Sequence, residues 1–99
     1  SRTDEEIQIV FDRYKSALYR IYNRELRRNP TLQGKMVLRL TIMPDGSVSF
    51  VKVESVDMGA NVENLSAKIV ARVKRFNFGA KPGVPKVTIL YPIDFLPAS

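Results

Sequence analysis

The run from Asn29 to Ser55, NPTLQGKMVLRLTIMPDGSVSFVKVES, constrains the fold more than any other part of the chain, because a whole β-hairpin can be read in it residue by residue. Pro44 presets φ for the first central position of a type I turn, Asp45 tolerates the second, and Gly46 supplies the left-handed residue that closes a three-residue loop. On the arm before the turn, Met36, Leu38, Leu40 and Ile42 share one face at period two, while Val37, Arg39 and Thr41 share the other with Lys35. The first set is expected to be buried and the second partly wet. The arm after the turn is less regular: Val48 and Phe50 have one parity, Val51 and Val53 the opposite. Either a bulge sits near Phe50 or both faces are partly covered.

On either side of this hairpin, residues 35–56, the sequence predicts helices. Thr3-Asp4-Glu5-Glu6 has the spacing of a capping box, and Ile7, Val10, Phe11, Tyr14, Leu18, Ile21, Tyr22 and Leu26 then recur at three- and four-residue steps. A helix over 3–28 follows, ended by Asn29-Pro30 because the residue before proline is biased away from the helical region. A second helix is expected over 61–75, capped by Asn61 and burying Val62, Leu65, Ile69 and Val73. Phe76 and Phe78 flank Asn77 in a short extended exit. Gly79 to Pro85, with two glycines and two prolines in it, reads as a mobile loop. In the last strand, 86–95, Val87, Ile89, Tyr91, Ile93 and Phe95 alternate with Thr88, Leu90, Pro92 and Asp94. Pro92 cannot donate to a ladder, so this strand is expected either to lie at an edge or to be unpaired on one side there. The order α-β-β-α-β predicts a single α+β domain over 1–99, with two helices packed on one face of a three-stranded antiparallel sheet.

The chain has 99 residues and neither cysteine nor histidine, which removes disulfides, thiolate nucleophiles, imidazole bases and nearly all zinc or copper sites. Most of its ten carboxylates read as cap or turn residues, with Asp94 facing solvent, and no pair is spaced for acid–base work. Ser47, Ser49 and Ser66 have no histidine partner. No catalytic residue, metal ligand or cofactor site is expected, and the chain reads as a non-enzyme. It contains no apolar run of the about 20 residues that span a bilayer, and its first residues lack a signal peptide's regions. It reads as soluble as given, and its start directly at a helix cap would suit a domain cut from a longer, anchored protein.

The net charge is +6, with Arg13, Lys15, Arg20, Arg24, Arg27 and Arg28 on the first helix and Lys68, Arg72, Lys74, Arg75, Lys81 and Lys86 beyond it. Such patches define the alternative reading, a basic nucleic-acid-binding module. Single-strand readers, however, carry aromatics on an exposed sheet face, whereas Phe50, Tyr91 and Phe95 are read here as core. A solvated helix face, or one that approaches anionic membrane or peptidoglycan, is preferred.

Taken together, Ala17-Leu18 through Tyr22 and Arg24, Asn29-Pro30 with Leu32 and Gly34, Pro44-Asp45-Gly46, Val62-Glu63, Arg75-Phe76 with Phe78, and Tyr91-Pro92 with Phe95 give the chain its likeness to a known family. It resembles TonB-like C-terminal domains of the AgmX/PglI type over nearly its whole length. The resemblance implies a periplasmic domain of an inner-membrane-anchored energy transducer, coupling an ExbB/ExbD-like proton-driven motor to transport or a related envelope process through an outer-membrane receptor or envelope protein. It also implies that a partner peptide adds as a strand beside the last strand, by β-augmentation. The matching residues are Lys86, Val87, Thr88, Ile89, Leu90, Tyr91 and Ile93. Tyr19, which falls off the apolar stripe of the first helix, is a candidate secondary contact, with Arg72 and Arg75. Many members carry one cysteine in each helix; the matching positions here are Ile21 and Leu65, where an apolar contact is expected instead. The Tyr-Pro pair found ahead of the hairpin in the best-known transducers is replaced by Asn29-Pro30. An exposed edge would also admit a homodimer by strand exchange.

Overall fold

The computed structural model describes residues 1–97. In chain order the elements are α1 (Asp4–Leu26), β1 (Gly34–Ile42), β2 (Val48–Asp57), α2 (Glu63–Val73) and β3 (Val87–Phe95). The antiparallel sheet has the order β2-β1-β3, so the first hairpin arm is central and β3 is an edge, and the two helices cover one face. This is the α+β arrangement expected from the sequence.

α1 starts as its capping box dictates: the Thr3 hydroxyl accepts from the Glu6 backbone N–H at 3.1 Å, and Glu6 reaches back to the Thr3 N–H. Along β1, Met36, Leu38, Leu40 and Ile42 are all fully buried against the helices. Each such side chain contributes about 1.5–3 kcal/mol relative to exposure. Around them pack Leu65, Ile69 and Val73 from α2, Phe11, Leu18 and Tyr22 from α1, and Phe95 from β3. Ile21 and Leu65 both belong to this cluster, Leu65 fully buried and Ile21 half-buried. Tyr22 satisfies its buried hydroxyl by donating to the Leu32 carbonyl at 2.6 Å, which ties the helix to the segment leading into β1.

The irregularity of β2 is resolved by two register shifts. Pairing passes from Thr41↔Phe50 to Ile42↔Val48, leaving Ser49 over, and from Val37↔Ser55 to Leu38↔Val53, leaving Glu54 over. The extra Ser49 changes the parity, so Val48 and Val51 both turn inward and Phe50, opposite Thr41, turns out and is 43% exposed. Phe50 is therefore not a core residue, contrary to the sequence expectation. Tyr91 is half-buried against the core, and Phe95 is fully buried.

Two further expectations are corrected. Asn61 does not cap α2: it adopts φ 61°, the left-handed conformation that asparagine tolerates, to reverse the chain after β2, and Val62 takes the cap position without a side-chain bond. The helix accordingly begins later than expected. The Gly79 to Pro85 loop is tied down at its start, since the Phe78 N–H donates to the Gly46 carbonyl and the Lys81 N–H to the Pro44 carbonyl. Arg2 adds side-chain bonds to the carbonyls of Met43, Phe78 and Gly79, and the Lys81 ammonium binds Glu6 and the Ser1 carbonyl. Hairpin tip, loop and chain start thus form one knot. Gly46 permits it: a Cβ there would lie 2.5 Å from the Gly79 backbone nitrogen.

Glu25, only 6% exposed, joins the helices by accepting from Lys68 Nζ at 2.8 Å and Asn64 Nδ2 at 2.7 Å. Its role is a clamp between α1 and α2. The bond from Lys68 comes first, then that from Asn64, in holding its carboxyl below the ordinary 4.5, against the opposing effect of burial. A carboxylate with a lowered value in the folded state adds stability that is complete above the unfolded value and is lost as pH falls through the folded one. Glu25→Gln is expected to cost about 1 kcal/mol at neutral pH and to lose less stability on acidification below 4.5 than the parent, read from denaturant midpoints at neutral and acid pH.

Candidate functional site

β3 pairs with β1 from Phe95↔Gly34 to Val87↔Ile42, and among the described residues no strand pairs with its other side. Three observations fix which residues direct their backbone groups to that open side. The Thr41 and Thr88 hydroxyls meet at 2.8 Å across the strands, the close side-chain approach of a non-hydrogen-bonded pair. Pro92 has the same parity and places its missing N–H where it costs β1 no bond. The carbonyl of Asp94, again of that parity, accepts a hydrogen bond from the Tyr19 hydroxyl. Thr88, Leu90, Pro92 and Asp94 therefore face the open edge with their backbone, while their side chains lie on the sheet face away from the helices, all exposed.

The candidate residues divide accordingly. Thr88 and Leu90 offer both N–H and carbonyl to an incoming strand, and Lys86, just ahead of β3, is exposed beside them. Val87, Ile89, Tyr91 and Ile93 turn their backbone to β1 and their side chains toward α1, so they support the edge without lending it hydrogen bonds. Beyond Leu90 the edge narrows: Pro92 supplies an acceptor only, and at Asp94 the carbonyl already accepts from Tyr19 while the N–H faces outward.

Between this edge and α1 lies a groove of about 220 Å³, lined by Gln8, Phe11, Lys15 and Tyr19 on the helix and by Tyr91 and Pro92 on the strand. Its floor is the Phe11 ring stacked on Tyr91, with centroids 3.6 Å apart and planes 6° from parallel. Tyr91 donates its hydroxyl to Gln8 Oε1 at 2.9 Å. Burial, the largest influence on that hydroxyl, pushes it above the ordinary 10, so it remains a donor throughout the neutral range. In an added strand, successive side chains would alternate between this groove and the open sheet face.

Tyr19 lies at the site as proposed from sequence, held by Asp94 and by ring contacts with Tyr22 and Phe95. Arg72 and Arg75 are not brought there. Arg72 lies in the last turn of α2 and Arg75 just past its end, and α2 packs against β2 at the opposite edge of the sheet. The Arg72 guanidinium sits over the Tyr14 and Phe76 rings at 5.3 and 5.8 Å, while Arg75 is exposed. Phe11, Gln8 and Lys15 were missed because only the strand crossing of α1 and β3 makes them neighbours. A hint was present in Gln8, exposed and four residues from the Asp12 it also binds.

No group of histidine, cysteine or carboxylate side chains suited to a metal ion occurs among the described residues, and none of their helices is long and apolar enough to cross a membrane. Compared with protein-family models, curated proteins and solved structures, the chain shows no significant match.

Proposed function

We propose that the domain binds an extended peptide by strand addition at the open edge of β3, as a non-enzymatic, TonB-like module of an inner-membrane-anchored energy transducer. In this reading it works in the periplasm, its partner is a segment of an outer-membrane receptor or envelope protein, and an ExbB/ExbD-like motor acts through the rest of the transducer to couple proton-motive force to transport. The assignment to that family rests on the sequence resemblance. The observation that supports the binding mode is the open edge itself: outward N–H and carbonyl groups at Thr88 and Leu90, bounded by Pro92 and Tyr19 and bordered by an aromatic groove.

Two N–H groups and the carbonyls of Thr88, Leu90 and Pro92 net about 1 kcal/mol each, which alone corresponds to sub-millimolar affinity. One apolar side chain seated in the groove adds about 1.5–3 kcal/mol and brings binding into the micromolar range. Such contact is transient, which suits a transducer that must let go.

Titration of the domain with extended peptides from candidate outer-membrane receptors should move the amide resonances of Thr88 and Leu90 most. Leu90→Pro removes one outward N–H without touching the β1 ladder and is expected to weaken binding about tenfold, by leaving a partner carbonyl unpaired. Shifts that spare residues 84–95 would show the site to be elsewhere. A second copy of the chain adding at the same edge would appear instead as a mass that rises with concentration in sedimentation.

One observation favours the nucleic-acid reading as second choice. Phe50 stands exposed on the outer sheet face, in the row beside Lys52 and Arg39, which removes the argument that no aromatic is displayed there. Arg39, however, is engaged by Glu54 at 2.8 Å. In this reading a single-stranded oligonucleotide, not a peptide, moves the amides of Phe50 and Lys52 in the same titration.

A further inference from the structure

We infer that the outer face of the helical layer is a docking surface for an anionic lipid bilayer, independent of strand addition at β3. With the apolar side of α1 buried, Arg13, Ser16, Arg20, Asn23, Arg24 and Arg27 fall in one exposed stripe at three- and four-residue spacing. It runs for about 21 Å at the helical rise. α2 packs beside α1 in the same layer with Leu65, Ile69 and Val73 turned inward, and Lys74 and Arg75, just past its end, are exposed.

From residue 13 to the end of α1, and through α2 after Glu63, the only carboxylate is Glu25, buried and already paired with Lys68. The four arginines of the stripe form no ion pair among the described residues. No carboxylate among the described residues accounts for them. The helix dipole favours basic residues in the last turn only, and Arg13 and Arg20 lie well before it.

The charge and its distribution select the occupant. α1 and α2 lie side by side, and the basic stripe borders an open hollow of about 450 Å³ lined by Tyr19, Arg20, Asn23, Arg24 and Arg27, so its guanidinium groups are presented along the helix to a layer of phosphates. Duplex recognition would need a helix free to enter a groove about 8.5 Å deep, whereas α1 has α2 packed along one side. The stripe itself displays no large apolar side chain from Arg13 to Arg27, so the contact is electrostatic and does not insert. Arginine suits it, since a guanidinium holds a phosphate in two-point fashion and stays charged at every relevant pH.

The test is cosedimentation of the domain with vesicles of phosphatidylglycerol and phosphatidylcholine, against vesicles of phosphatidylcholine alone, at low and at physiological salt. Binding is expected only to the anionic vesicles and should weaken with salt. Each arginine near such a surface contributes roughly a fivefold factor, so Arg20→Gln with Arg24→Gln should lower the partition about 30-fold. Lys52→Gln with Lys86→Gln, away from the helical layer, should leave it nearly unchanged. Circular dichroism confirms that both variants fold. Equal binding to neutral vesicles, indifference to the arginine pair, or tighter binding to a DNA duplex than to the anionic vesicles at the same salt would each overturn the inference.

Discussion

Gly34→Ala is expected to be the most damaging single-methyl change in the domain, costing about 3–5 kcal/mol from strain and overlap together. Gly34 opens β1 at φ 139°, a conformation that L side chains rarely adopt. A Cβ built there would overlap the Asp57 carbonyl oxygen, and the Met58 Cα would lie only 3.2 Å away. Neither obstacle is the movable end of a side chain. Both are backbone, and Asp57 is the partner of the next residue, Lys35, in the ladder. Relief would require the end of β2 to peel from β1 and carry the buried Met58 with it. Total stabilities of small domains lie at about 5–15 kcal/mol, so this loss takes a large share. In thermal unfolding it should appear as a fall of roughly 15–30 °C in Tm. A fall of only a few degrees would show that the β1–β2 start is not a fixed part of the structure.

Phe11→Ala should follow closely, at about 3–5 kcal/mol. The ring is buried and meets three others: Tyr91 face to face, Phe76 at 5.3 Å and Phe78 at 6.0 Å, both edge-on. It touches both the exit from α2 and the last strand. Its loss opens a cavity at the floor of the groove and frees the Tyr91 ring. The expected result is a lower denaturant midpoint together with weaker peptide binding. Phe11→Leu, which refills most of the volume, should restore stability more fully than binding, because an aliphatic side chain does not hold Tyr91 flat. Equal recovery of both would separate the groove from the binding site.

How far the sequence reveals this domain depends on whether a feature is local. Met36 to Ile42 are legible because the strand is paired on both sides and its period is unbroken. The Pro44-Asp45-Gly46 turn and the Thr3–Glu6 box are legible because each is closed within a few residues. β2 is not: Ser49 and Glu54 become bulges only relative to β1, and a residue that pairs with nothing carries no mark of it. Phe50 was misplaced for that reason. Asn61 has the composition of a cap and was assigned as one, but the path from β2 into α2 demands a left-handed residue instead. The open edge of β3 was legible from Pro92. The groove, the Tyr19–Asp94 bond and the Glu25 clamp join residues 39 to 83 positions apart, and no spacing rule reaches that far.

The knot at the chain start also has a mechanical meaning. Arg2 grips the carbonyls of Phe78 and Gly79, a few residues ahead of β3, and Lys81 binds back to Ser1 and Glu6. Tension entering at Arg2 therefore has a short route to the last strand that bypasses the length of α1. Delivered along the axis of β3, it loads the nine-residue ladder with β1 in shear, where many hydrogen bonds resist at once. Pulled crosswise, the same ladder would unzip one bond at a time. The domain is thus stiff along one direction and weak along another, and a partner strand lying beside β3 shares the stiff one.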